Sequence, residues 1–141
     1  MRVSSRADYG VRALFDLAER YGQGPVQSRD IAARRHIPEA YLHQVLGALG
    51  RAGIVRSTRG PQGGHELTRP PAEITILDAL EILDGPDRRA HPHHTAPDEP
   101  DIVHRVWHEL QQQSGAYLRS ISLETLLERS RLPNPAATYS I

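Results

Sequence analysis

Two sets of residues in this chain have the types and spacing to do chemistry. One is a run of nitrogen and oxygen donors: His91-Pro92-His93-His94, then Asp101, His104 and His108. On a helix, His104 and His108 stand one turn apart on one side, a workable pair for zinc, nickel or copper. The other is Arg59-Gly60-Pro61-Gln62-Gly63-Gly64, with a short apolar run on either side. Glycine turns tightly at no steric cost, so this segment reads as a β-hairpin tip that must carry positive charge. The remaining His, Asp and Ser residues are scattered, without a nucleophile motif. The glycines of 60–64 lie between strands, not between a strand and a helix, so they make no phosphate loop. An enzyme is not expected.

The flanking chain supplies the elements that would hold these groups. Ser4 or Ser5 can cap a first helix to about Tyr21. Ala7, Val11, Leu14, Ala18 and Tyr21, widened by Ala13 and Leu17, form its inner face; Asp8, Arg12, Asp16 and Glu19 fall opposite. Ser28 suits the cap of a short second helix to about Arg35, with Ile31 and Ala32 inward. Pro38 opens a third helix to about Ala52, with Leu42, Val45, Leu46 and Leu49 as its buried stripe. Ala40, His43, Gln44, Gly47 and Arg51 lie off that stripe. Residues 54–57 and 65–68 read as the hairpin strands, and 74–83 as a fourth helix capped at Thr75. A Pro-, His- and Asp-rich loop precedes a long helix from about Asp101 to Ile121. Along it Val103, Trp107, Leu110, Ser114, Tyr117 and Ile121 alternate spacings of four and three, a seam suited to a helix partner. Ser122 caps a last short helix to about Arg131, and Pro133 and Pro135 predict an extended tail.

Composition narrows the partners. The net charge is zero, yet residues 1–69 hold 11 Arg against 6 Asp/Glu while residues 70–141 hold 6 Arg against 11. A basic half followed by an acidic half points to a polyanion-facing module and a second module kept away from it. There is no apolar run long enough to span a membrane and no signal-like stretch, so the expected location is the cytoplasm. With no cysteine in the chain, disulfides, zinc thiolate sites and cysteine-ligated iron–sulfur clusters are excluded.

Duplex DNA is the polyanion these elements fit. A helix entering the major groove needs short polar side chains near its N-terminus, and the 28–51 segment offers helix, turn and helix. Gln44 can pair with an adenine edge, His43 with a guanine N7 or a phosphate, Tyr41 with a phosphate or a thymine methyl, and Arg51 with backbone. Arg59 on the hairpin tip suits a narrow minor groove. Gly60, Pro61, Gly63 and Gly64 shape its approach. Ser4, Ser5 and Arg6 place a hydroxyl, a guanidinium and helix N-terminal amides where a phosphate could sit.

These residues resemble a known family, the winged-helix repressors that include IscR, NsrR and CymR. The likeness covers most of residues 1–131. It rests on Met1-Arg2-Val3-Ser4-Ser5 with Tyr9, Gly24-Pro25-Val26, Ile31-Ala32, Tyr41-Leu42-His43-Gln44, and above all Arg59-Gly60-Pro61 with Gly63-Gly64. The 74–85 segment, and Trp107 followed by Leu110, extend it. The resemblance implies a homodimer clasped by the long helices, two recognition helices in successive major grooves, a palindromic operator and, usually, repression. Iron–sulfur members carry three cysteines before the long helix; here they are missing, although His104 stands where some members have a histidine. Cluster sensing is therefore not carried over, and the resemblance leaves a small-molecule or protein effector as the signal.

The expectation is a mainly α fold with a small β-hairpin. Residues 1–84 form a winged helix-turn-helix DNA-binding domain, 85–101 a sensor-type loop, 102–131 a dimerisation helix with a terminal short helix, and 132–141 a flexible tail. Val103, Trp107, Leu110, Tyr117 and Ile121 form the dimer seam. The expected function is a homodimeric regulator of double-stranded DNA, with no membrane partner. The alternatives are a metal sensor built on His91, His93, His94, Asp101, His104 and His108, and a protein-interaction module that has lost DNA binding.

Overall fold

Ser4, not Ser5, caps the first helix. Its Oγ accepts the Ala7 amide at 3.0 Å, and α1 runs over Ser5–Glu19. In the computed structural model, which describes residues 3–85 and 101–133, α2 (Ser28–Arg35) and α3 (Glu39–Arg51) follow. Next come an antiparallel hairpin of β1 (Val55–Thr58) and β2 (Gly64–Leu67), a 3-10 turn at Pro71–Glu73, α4 (Ile76–Asp84), α5 (Ile102–Ser120) and α6 (Leu123–Ser130). The fold is mainly helical with a two-stranded hairpin.

The core lies where α1 meets α3. Leu14 and Leu17 pack among Leu42, Val45, Leu46 and Leu49, with Ile31, Ile54, Ile74, Leu83 and Leu123 closing the cluster. The stripe expected on α3 is the stripe that is buried. Gly10 shows how tightly α1 crosses its neighbours: a Cβ there would lie 2.1 Å from Leu83 Cδ1 and 3.2 Å from Val45 Cγ1. A side chain at position 10 would overpack this crossing.

Caps set the helix boundaries. Thr75 and Asp78 exchange backbone-to-side-chain bonds at 3.0 and 3.1 Å, a capping box. This delays α4 to Ile76, two residues later than expected. Ser122 and Thr125 form the same box at α6. Ser28 is not the cap of α2: Gln27 occupies that position without a side-chain cap bond, and Ser28 is the first helical residue.

Tyr21, expected on the inner face of α1, lies past the helix end at Glu19 and is exposed. Two further placements depart from the periodic pattern. Asp16, expected on the outer side of α1, is fully buried. Arg34 grips its carboxylate in a fork, Nε to Oδ1 at 3.0 Å and Nη2 to Oδ2 at 2.9 Å. Arg35 adds a bond at 2.9 Å and Arg20 one at 3.3 Å. The reason is tertiary: α2 lies across that side of α1 and brings both arginines onto it. Burial alone would push the Asp16 carboxyl up. The hydrogen bonds from Arg34 and Arg35, with the charges of Arg20 and Arg34, outweigh burial and hold it below its ordinary value.

Ile121 is the second departure. The heptad spacing assigns it to the dimer seam, but α5 ends at Ser120 and Ile121 is extended and 5% exposed. Its carbonyl accepts the Ile76 amide at 2.9 Å, and the Leu123 amide donates to the Ile74 carbonyl at 2.9 Å. This short pairing, which joins Thr75 to Ser122, turns the chain back so that α6 packs on α1.

Candidate nucleic-acid interface

The helix-turn-helix is built from α2 and α3. His36 closes α2 in the left-handed region at φ +54°, unusual for a residue with a Cβ. The Ile37 amide returns to the Ala32 carbonyl at 3.0 Å, and Ile37 is buried. The turn is thus held by both backbone and side chain, and α3 is delivered with Ala40, His43, Gln44 and Arg51 exposed. Gly47 lies among them: a Cβ there would come 3.3 Å from Arg51 Nη1. The Arg51 guanidinium therefore folds back along the outward face, as helical side chains tend to do. Tyr41 is half-buried and meets Tyr9 edge-on, ring centroids 5.0 Å apart. It braces α3 on α1 and presents less of its ring outward than the sequence implies.

The hairpin is the wing. Val55 pairs with Leu67, Arg56 with Glu66, Ser57 with His65 and Thr58 with Gly64. Val55 and Leu67 turn into the core. On the opposite face Arg56 Nη2 is paired with Glu66 at 2.8 Å, so that arginine adds little net charge. Arg59 is exposed on the tip. Gly60 has φ +106° with open space around it, and the Gly63 amide closes the turn on the Gly60 carbonyl at 2.9 Å.

Gly63 and Gly64 have a reason the sequence does not show. A Cβ on Gly63 would fall 2.0 Å from the Thr58 carbonyl oxygen, and one on Gly64 would fall 2.5 Å from the Val26 carbonyl oxygen. Val26 joins the wing as a third edge: its amide and carbonyl exchange bonds of 2.8 Å with the carbonyl and amide of His65. These two glycines therefore serve the wing's own packing, and Gly60 alone of the three sits in open space.

His65, which the sequence marks only as a strand residue, is tied into the wing. Its Nδ1 lies 2.7 Å from Ser57 Oγ. Burial, and then the nearby charge of His43, hold its ring below the ordinary histidine value. α3 packs against β1, the first strand of the wing.

At the start of α1, Ser4 Oγ also donates to Asp84 Oδ1 at 2.6 Å, and Arg6 Nε donates to the Leu83 carbonyl at 2.9 Å. These groups lock α1 to the end of α4, with a carboxylate beside the helix N-terminus; Ser5 is exposed. On α5, Val103, Trp107, Leu110 and Tyr117 are exposed. His104 is half-buried and His108 exposed. His91, His93 and His94 lie outside the described residues. Among the described residues, Asp101, His104 and His108 included, no three His, Asp or Glu side chains converge as a metal site would require.

A family model for Rrf2, described as an iron-dependent transcriptional regulator, matches residues 3–129. The chain belongs to the Rrf2 family. The HTH-type transcriptional regulator CymR of Bacillus subtilis is 32% identical over 126 residues, spanning 89% of each chain. The solved structure of CymR, titled the global cysteine regulator of B. subtilis, has a TM-score of 0.81 at 31% identity, covering 92% of this chain and 98% of that one. That of T. potens IscR has a TM-score of 0.79 at 32% identity, covering 99% and 97%. This Rrf2 chain is a DNA-binding transcriptional regulator with the winged-helix fold. Among its described residues no helix is long and apolar enough to cross a membrane.

The Rrf2 description raises the question of iron. The chain has no cysteine, so a cluster held on cysteine thiolates has no ligands here. The donors available are imidazoles and carboxylates, which do not fit that group.

Proposed function

We propose that this Rrf2 regulator acts as a homodimer, clasped through α5, on a palindromic operator, and that it represses transcription without enzymatic activity. The supporting observation is α5 itself: its 19 residues include none that is buried. It holds out Ile102, Val103, Val106, Trp107, Leu110 and Tyr117, with Trp107 46% and Leu110 47% exposed. An apolar face of that length calls for a partner, and the four-and-three spacing of Val103, Trp107, Leu110 and Tyr117 suits the same helix from a second copy. Such a dimer would set two α3 helices about 34 Å apart, one turn of B-DNA. Occupying an operator excludes polymerase, so repression needs no further contact.

In this reading α3 reads the major groove through Ala40, His43 and Gln44, with Tyr41 and Ser28 near the backbone and Arg51 on a phosphate. Arg59 enters the minor groove from the wing, and Ser4, Ser5 and Arg6 stand by the backbone at the N-terminus of α1. DNA as the partner makes the cytoplasm the working location, and a small molecule or a protein is the effector.

Sedimentation and anisotropy test the proposal together, on duplex selected from genomic fragments. The wild type is expected to sediment as a dimer and bind two half-sites. Trp107→Asp should give folded monomers with at least 30-fold weaker DNA binding, the scale of an interface hot spot. A Trp107→Asp variant that stays dimeric overturns the α5 clasp. Arg59→Ala should weaken binding about tenfold and lower the salt slope by about one. Unchanged affinity and slope overturn the wing contact.

A further inference from the structure

The Gln27 side chain crosses from the helical body to the wing. Gln27 Nε2 donates to the Pro61 carbonyl at 3.1 Å, bridging 34 positions of sequence. Its own position is fixed on both sides. Val26, just before it, is bonded twice to His65 at 2.8 Å, and Ser28, just after it, begins α2. The carbonyl it reaches belongs to the tip, two residues beyond Arg59 and within the turn closed by the Gly63–Gly60 bond. Gly60 would otherwise leave this turn free: it has φ +106° and nothing near its Cβ position.

We propose that Gln27 is a positioning residue for DNA recognition: it latches the wing tip to the start of α2, so that Arg59 and the outward face of α3 meet the duplex in one fixed relation. The proposal rests on the reading of Arg59 as a DNA contact. The physical argument is one of pre-organisation. A flexible glycine turn must be ordered when it binds, and that ordering weakens binding unless it is done beforehand. A neutral amide-to-carbonyl bond is modest in strength, but it acts on the tip itself, two residues from Arg59. No charge is involved, so the latch changes affinity without changing the number of phosphates neutralised.

A double-mutant cycle on selected operator DNA tests this, using Gln27→Met, which keeps length and removes the donor, alongside Arg59→Ala and the double variant. Gln27→Met is expected to weaken binding roughly 3- to 10-fold, with the salt slope and melting temperature unchanged. In the Arg59→Ala background the same change should have little further effect, because the latch acts through that side chain. Additive losses would mean that Gln27 meets DNA itself, and they overturn the proposal, as does wild-type affinity in Gln27→Met. If instead Arg59→Ala binds normally, the wing reading has failed, a result distinct from failure of the latch. Gln27→Leu gives a second check: it also removes the donor and adds no charge, so it should reproduce the coupling to Arg59. An uncoupled loss in that variant also counts against the latch.

Discussion

α3 and α5 are both amphipathic, yet they use their apolar sides in opposite ways. The apolar stripe of α3 is consumed by its own chain: Leu42, Val45, Leu46 and Leu49 are buried, and what remains outside is polar. α5 buries no residue, and what it exposes includes six large hydrophobic side chains. The difference teaches that the period of a hydrophobic pattern reports which face wants to leave water, not which surface will cover it. For α3 the cover is α1. For α5 no segment of the described chain supplies one on that face, and a second copy is the cover proposed above.

Substitutions on the two helices can break or sharpen this contrast. The largest effect is expected from Leu42→Ala on α3, where the side chain is fully buried. It should destabilise the protein by about 3 kcal/mol or more through lost burial and a residual cavity, read by urea unfolding and independent of protein concentration. If the loss shrinks as protein is concentrated, the α3 stripe is not purely internal.

Asp16→Ala should follow, at about 2–3 kcal/mol. The usual penalty for breaking a buried pair is discounted here because its arginines keep contact with water. The pH dependence has a definite sign. The folded carboxyl titrates below its ordinary value, so its stabilisation is present above the unfolded pKa and is lost as pH falls through the folded one. Wild type should therefore lose stability in acid more steeply than Asp16→Asn, as followed by thermal melts. Parallel profiles would show that the arginine cluster does not depend on this charge.

Leu110→Ala on α5 is expected to cost about 1–2 kcal/mol, and only in the dimer. Its melting temperature should approach that of wild type as both are diluted. A deficit that persists at every concentration would place Leu110 in the core of one chain and erase the contrast with α3.

The smallest effect concerns His65. Its folded value is depressed by burial and by the charge of His43, so the neutral ring is favoured. Stability should be full above about pH 6.5 and decline as pH falls through the folded value. His65→Asn should remove part of that decline, and NMR titration of the ring should report a value below that of free histidine.

Much of the architecture is legible from local signals. Capping hydroxyls at Ser4, Thr75 and Ser122, the stripe of α3, and the run from Arg59 to Gly64 each carry their reason within a few residues. The misplacements of Asp16, Ile121 and Ser28 share one physical cause: each depended on a contact distant in sequence. Asp16 lies on what helical periodicity calls the outer side until α2 lays Arg34 and Arg35 over it. Ile121 keeps the heptad spacing, but pairing with the start of α4 takes it out of the helix. Ser28 looks like a cap, whereas the Val26–His65 pairing sets where α2 begins and leaves Gln27 in the cap position.

By itself, then, the sequence determined that this chain folds as helices with a positively charged hairpin beside a helix-turn-helix, and that no cysteine-held cluster belongs to it. Both follow from residue type and spacing, which act over a turn or two of chain. Only the tertiary structure decided which glycines answer to the wing's own backbone, that a carboxylate sits buried under arginines, and that Gln27 reaches the wing tip. Those depend on where segments far apart in sequence meet, and hydrogen bonding and close packing are settled there by distances of a few tenths of an ångström.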